Sequence, residues 1–219
     1  MIACLFLDTD DKRYFPELAR NAIQRVCDVT EPEIRALLPE LPEVIELAAQ
    51  TGKNVLPQTG ELGAAATPVR VTWVVDPDRP GGIAATAQSQ LRCTLFHEFH
   101  HLARGWVKSG STRWPRLIDG VVCEGLATAF ERDFGGRNPP WGSYPENVSA
   151  WVQELLALPP NAPYHHWMFQ HPDGRKWVGY QAGTFIADRA SGATGRTSAD
   201  LVSVPTNDIL VMAGVQAPN

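Results

Sequence analysis

The strongest alternation of apolar and polar positions runs through PVRVTWVVD, residues 68–76, and its β-branched and aromatic side chains predict a strand. A second strand is predicted at IACLFLD, residues 2–8. Between them the pattern is helical. PELARNAIQRVCD (16–28) predicts one helix, with proline at a first helical position. EPEIRALLPELPEVIELAAQ (31–50) predicts a second, interrupted by Pro39 and Pro42 and closed at Gly52. After the turn DPDRPGG, the small-sided segment IAATA (83–87) is expected to be a short strand running into a helix that carries CTLFHEFHH (93–101).

Downstream, WPRLIDGVVCEGLATAFERDF (114–134) predicts a helix ended by Gly135 and Gly136. YPENVSAWVQELLAL (144–158) predicts another, stopped by Pro159 and Pro160, and WVGYQAGTFIADRA (177–190) a third after a loop rich in histidine and tryptophan. The end of the chain, from TSADLVSV onward, is expected to hold a short helix. No repeat and no low-complexity tract interrupts the pattern. A small mixed or antiparallel sheet with helices before and after it places the chain in the α+β class. It is expected to be a single domain, 1–219, with a helical N-terminal part (1–60), a core (68–190) and a C-terminal tail (191–219).

Composition narrows the function. With 219 residues the chain can build one sizeable core or at most two small domains. A net charge of -5 speaks against nucleic acid, which wants a basic face. Arg104, Arg113 and Arg116 are read as solvated surface. No apolar run approaches the roughly 20 residues needed to span a bilayer, and the opening lacks a basic segment and a cleavage site. Cys4, Cys27, Cys93 and Cys123 form no CxxC pair and are expected to be buried, reduced thiols. A cytoplasmic protein with neither membrane nor nucleic-acid partner is expected. No oligomeric state is implied.

Candidate chemistry concentrates at His97-Glu98-Phe99-His100-His101, which holds three of the six histidines. Residues four apart share one face of a helix, so His97 and His101 can aim both rings at one ion. Glu98 lies beside them, where it can act on a metal-bound water. Leu91, Leu95, Phe99 and Leu102 form a neighbouring face that would dock on a core. His100 points elsewhere and is expected to be a supporting or surface histidine.

A catalytic zinc usually takes three protein ligands. The compact extension HExxHxxGxxH is absent, since Arg104 stands where glycine is needed and Val107 where the last ligand would be. Cys93 lies on the same helix in the wrong register. Among Asp119, Glu124, Glu131 and Asp133, Glu124 is the strongest candidate. It sits in the uncharged run VVCEGLATAF, where a lone carboxylate is costly without a partner such as a metal or an arginine. Gly120, Ala127 and Thr128 on its face are small. Glu131, among charges, is expected to be solvated.

HEFHH followed by EGLA resembles the gluzincin type of zinc metalloproteases. The ordering of a strand, a small-residue segment (Gly81 to Thr86), HExHH, the EGLA helix and a late Gly179-Tyr180 helix is similar to a bacterial family of predicted Zn-dependent proteases whose domain is of unknown function. The resemblance covers roughly residues 68–190. It implies a zincin-like, minimal gluzincin fold, one zinc per chain held by His97, His101 and Glu124, and Glu98 as general base. Many gluzincins carry an aspartate four residues after the ligand glutamate. Here that position is Thr128, so support for the ligands would come from Asp119 or a backbone carbonyl.

The function implied is hydrolysis of a peptide or protein substrate. An oxyanion donor is expected from Tyr180, His166, His165 or Tyr164, with Tyr180 preferred for its place at a helix start in WVGY. Gly82, Ile83, Ala84 and Ala85 are expected to offer an open strand edge to an extended substrate. Trp114, Trp141, Trp151, Trp167 and Trp177 are read mainly as packing. A zinc amidohydrolase for a small substrate, or a non-catalytic binding protein stapled by its metal, stays open as an alternative.

Overall fold

Four strands pair in the order β1-β2-β4-β3. β1 (Ile2–Leu7) and β2 (Ile45–Thr51) are parallel, with Ile2 opposite Ile45, and β2 is parallel to β4 (Arg70–Val75), with Glu46 opposite Arg70. β3 (Glu61–Thr67) runs antiparallel to β4 along the outer edge, with Glu61 opposite Val75. The sheet is therefore mixed, and with the helices it confirms the α+β class. The computed structural model describes residues 1–7, 15–109, 116–159 and 161–215. The chain divides into two compact units, Met1–Ser111 and Thr112–Asn219.

In the first unit, α1 (Glu17–Leu37) joins what the sequence divides into two helices. Pro32 lies inside it, where the missing N–H removes only one intrahelical bond. The helix stops at Leu38, whose φ of -128° is the extended conformation that the following Pro39 favours. The rest of the expected second helix is wrong: residues 45–51 form β2, between two strands. A strand covered on both faces is near-continuously apolar and loses its alternation, which hides it from the pattern. Ile45, Leu47, Ala49, Val71 and Trp73 are completely buried there with Ile23 and Ile34 of α1.

The strand expected at 83–87 is also overturned. Gly82–Thr86 is a helix, α2, which continues through a π-helical turn (Ala87–Leu91) into α3 (Arg92–Arg104). Gly81 and Gly82 both adopt positive φ, 84° and 68°, and turn the chain into the helix. Alanines then favour continuing it. The backbone of residues 82–85 is thus not a strand edge, and an extended peptide cannot pair along it.

In the second unit, α4 (Leu117–Phe130) runs into a π-helical turn (Glu131–Gly135) and ends at Gly136, φ 90°, as the glycines predict. α5 (Val148–Leu156), α6 (Tyr164–Met168), α7 (Val178–Thr194) and α8 (Thr206–Met212) follow. The terminal helix begins after the TSADLVSV segment, which forms turns. Val121, Leu126, Val152, Met168, Ile186, Leu201 and Ile209 belong to one apolar core. Trp141 and Trp167 are buried. Arg113 and Trp114 lie outside the described residues.

Candidate metal centre

α3 is buried from Cys93 to Leu102 without a break. Leu91, Leu95 and Phe99 are completely inaccessible, as their spacing predicts, and His100 is too, which excludes the surface option for it. The helix ends at Gly105, whose left-handed conformation (φ 74°) suits a residue without Cβ. One turn apart, the rings of His97 and His101 lie 4.7 Å centroid to centroid and meet edge to face at 79°. Both side chains therefore share a face of α3.

Glu98 is fixed by β3. The Ala65 N–H donates to Glu98 Oε2 at 2.7 Å, a charge-assisted bond in a buried setting. β3 comes this close because Gly63 has no side chain. A Cβ there would stand 2.4 Å from Thr94 Cγ2 and 3.0 Å from Glu98 Cγ and Oε1. A second buried carboxylate, Glu61, secures the same interface. Its Oε2 accepts from the Trp73 indole N–H and from the Thr94 hydroxyl, each at 2.8 Å. The sequence hardly marks Glu61 and Ala65. The only signal was an acidic residue opening a run of small ones.

α4 carries Glu124 in an apolar setting. Every residue from Gly120 to Phe130 is buried, Glu124 included. Glu131 is buried as well, against expectation, because it lies one heptad beyond Glu124 on the inward face while Asp133 is exposed. Asp119 is held by Arg116 in two hydrogen bonds of 3.0 and 2.9 Å. Thr128 is fully buried, and its hydroxyl finds no hydrogen-bond partner among the described residues. α7 crosses α4 glycine to glycine, since a Cβ on Gly125 would lie 2.0 Å from the Gly183 carbonyl carbon. Tyr164 packs against Gly120, where a Cβ would meet its ring at 2.6 Å and its hydroxyl at 2.9 Å. Burial, and then the charge of Glu124, push the Tyr164 hydroxyl above the usual tyrosine range.

The remaining sequence candidates occupy other settings. Tyr180 is half-buried among Trp141, Phe169 and Trp177, with ring centroids 5.7 to 6.3 Å away, and its carbonyl accepts from the Thr184 hydroxyl at 2.9 Å. The rings of His165 and His166 lie 4.6 Å apart on α6, tilted by 58°, the first residue exposed and the second half-buried.

Among the described residues, one group could hold a metal ion: His97, His101 and Glu124 each offer a ligand atom, and these atoms lie within 4.8 Å of one another. Two imidazole nitrogens and one carboxylate oxygen are a donor set that suits zinc and leaves a coordination position open. No helix among the described residues is long and apolar enough to cross a membrane. No match is found among curated proteins or among solved structures. A family model described as "Predicted Zn-dependent protease (DUF2268)" matches residues 15–211, nearly the whole chain, and the protein belongs to that family.

Proposed function

We propose that the protein is a zinc-dependent peptidase holding one zinc per chain through His97, His101 and Glu124, with Glu98 as general base. The grouping of those three side chains carries the reading. When bound, zinc supplies Lewis acidity toward a peptide carbonyl and a water acidified to near neutral pH. Glu98 takes the proton of the attacking water and returns it to the leaving amine. The Ala65 N–H occupies Glu98 Oε2 and holds the carboxylate in one orientation, which leaves Oε1 for the proton. β3 itself has little free edge to offer a substrate. Leu56 donates to the Glu61 carbonyl at 3.1 Å, and Lys108 and Ser109 donate to those of Ala65 and Ala66 at 3.0 Å.

For the oxyanion donor, Tyr164 has the better setting. Its hydroxyl faces Gly120, one turn before Glu124, and responds to the Glu124 charge. Tyr180 is engaged with an aromatic cluster. Tyr164→Phe is expected to lower kcat about 100-fold at unchanged zinc content, in the range for loss of one oxyanion donor. Tyr180→Phe is expected to stay within a few-fold of wild type, and the reverse order would restore Tyr180 to the role.

The deciding experiment measures zinc by elemental mass spectrometry and hydrolysis of a peptide library by mass spectrometry. Wild type is expected to hold one zinc and to cleave peptides. Glu124→Ala should lose the zinc. Glu98→Gln should keep it and lose turnover by about 100- to 10,000-fold, the range for a positioned general base. Zinc binding with no cleavage of any peptide would move the protein to the amidohydrolase or stapled-binder reading. A chain that takes up no zinc would overturn the site itself.

A further inference from the structure

Cys4 and Cys27 lie far from each other in sequence, yet the fold brings their sulfurs to 3.7 Å. Cys4 is half-buried on β1, and Cys27 is completely buried on the inward side of α1. We propose that this pair is a thiol–disulfide site, oxidised by hydrogen peroxide, that fastens α1 to the sheet. Cys93 and Cys123, both buried, have no role in it.

Three features of the first unit carry the inference. The outer position of β1, paired among the described residues with β2 alone, lets the strand yield. A disulfide needs the sulfurs at about 2.05 Å, so they must close by a further ~1.7 Å, which a side-chain rotation and a small strand shift supply. The two thiols also differ in accessibility, so one can meet a solvent oxidant while the other waits beside it. Finally, the hydrogen bond with Cys27 holds the Cys4 thiol below its ordinary value. The same bond, together with burial, pushes Cys27 up. The reactive thiolate is thus the accessible one.

The chemistry balances with peroxide as the only co-reactant. Cys4 sulfur attacks one peroxide oxygen, the O–O bond breaks, and water leaves with the Cys4 proton to give a sulfenic acid. Cys27 sulfur then attacks Cys4 sulfur, the S–O bond breaks, and a second water carries off the Cys27 proton. Two thiols and one peroxide become one disulfide and two waters. Because α1 also packs against α3, the bond restrains the helix beside the one that carries His97.

The test treats the folded full chain with peroxide, blocks remaining thiols in denaturant, and digests with trypsin. Cleavage after Lys12, Arg25 and Arg35 puts Cys4 in peptide 1–12 and Cys27 in peptide 26–35. The expected product is these two peptides joined, about 2 Da lighter than their sum for the two hydrogens lost, and separated by a phosphine. Cys93 and Cys123 should be recovered alkylated. Oxidised wild type should melt at a higher temperature than reduced. Cys27→Ser should instead accumulate a dimedone-reactive Cys4. Recovery of Cys4 and Cys27 singly alkylated, or of Cys4 as sulfinic acid beside intact Cys27, would overturn the proposal. The wild-type map decides this even if the variant fails to fold.

Discussion

Glu98 on α3 and Glu124 on α4 are carboxylates of nearly equal exposure, 7% and 9%, carried by helices of opposite character. Around Glu98 the packing is directional. Ala65 N–H, Glu61, Thr94 and Trp73 exchange hydrogen bonds between α3 and the sheet. Around Glu124 the helix is apolar, with Val121, Val122, Leu126 and Phe130 all buried, and its closest partner, α7, is met through bare backbone at Gly125 and Gly183. One helix is positioned by bonds that tolerate few substitutions in chemistry. The other is positioned by shape and tolerates few in size. Each way of burying a carboxylate therefore has its own weak point.

The size rule breaks first at Gly183. A Cβ there would lie 2.0 Å from the Val121 carbonyl oxygen and 2.9 Å from Gly125 Cα. Both are backbone atoms, so no side chain can swing away and the helices must separate. Gly183→Ala is expected to cost about 3 kcal/mol, the upper range for overpacking. Urea denaturation reads this, and a loss below about 1 kcal/mol would mean that α4 and α7 do not meet backbone to backbone.

Gly63 on β3 gives the matching test for the first unit, and here the obstacle is a side chain. Gly63→Ala is expected to cost about 1 to 2 kcal/mol through the clash with Thr94 Cγ2. Thr94→Ser removes that methyl and keeps the hydroxyl that donates to Glu61. The double variant should therefore recover at least half of the loss, a coupling visible in a double-mutant cycle. Strict additivity of the two changes would place the clash elsewhere, against Glu98.

The same contrast explains what could be read from the sequence. The histidine pair, Glu98 and Glu124 were legible because their chemistry is rare: HExxH at helical spacing, and a carboxylate inside VVCEGLATAF. α4 and α5 were legible from glycine and proline stops. The two segments of small residues were not. ELGAAAT and GIAAT look alike in composition, yet the first is β3 and the second α2. β3 is small-sided because α3 lies on it at Gly63, a tertiary cause that leaves no periodicity. α2 is helical because the glycine pair before it supplies two positive φ angles. β2 escaped for a third reason, that burial on both faces erases alternation. Glu61 and Ala65 went unseen with β3, since a backbone N–H has no sequence signature and the acid that anchors Trp73 and Thr94 resembles any surface glutamate.

Two threonines give the finest comparison. Thr94 on α3 donates its hydroxyl to Glu61, whereas the buried Thr128 hydroxyl on α4 has no hydrogen-bond partner among the described residues. Replacement by valine keeps the branched shape and removes the hydroxyl. At Thr94 this strips a buried carboxylate of one donor and should destabilise by about 1 to 2 kcal/mol. At Thr128 there is no bond to lose, and a buried polar atom without a partner is removed, so stability should rise by about 0.5 kcal/mol. Paired denaturation curves decide the sign. Zinc content of Thr128→Val should match wild type, because a hydroxyl without a bond cannot orient a ligand. A Thr128→Val protein that is less stable, or that binds less zinc, would mean that α4 also depends on a directional contact one turn beyond Glu124.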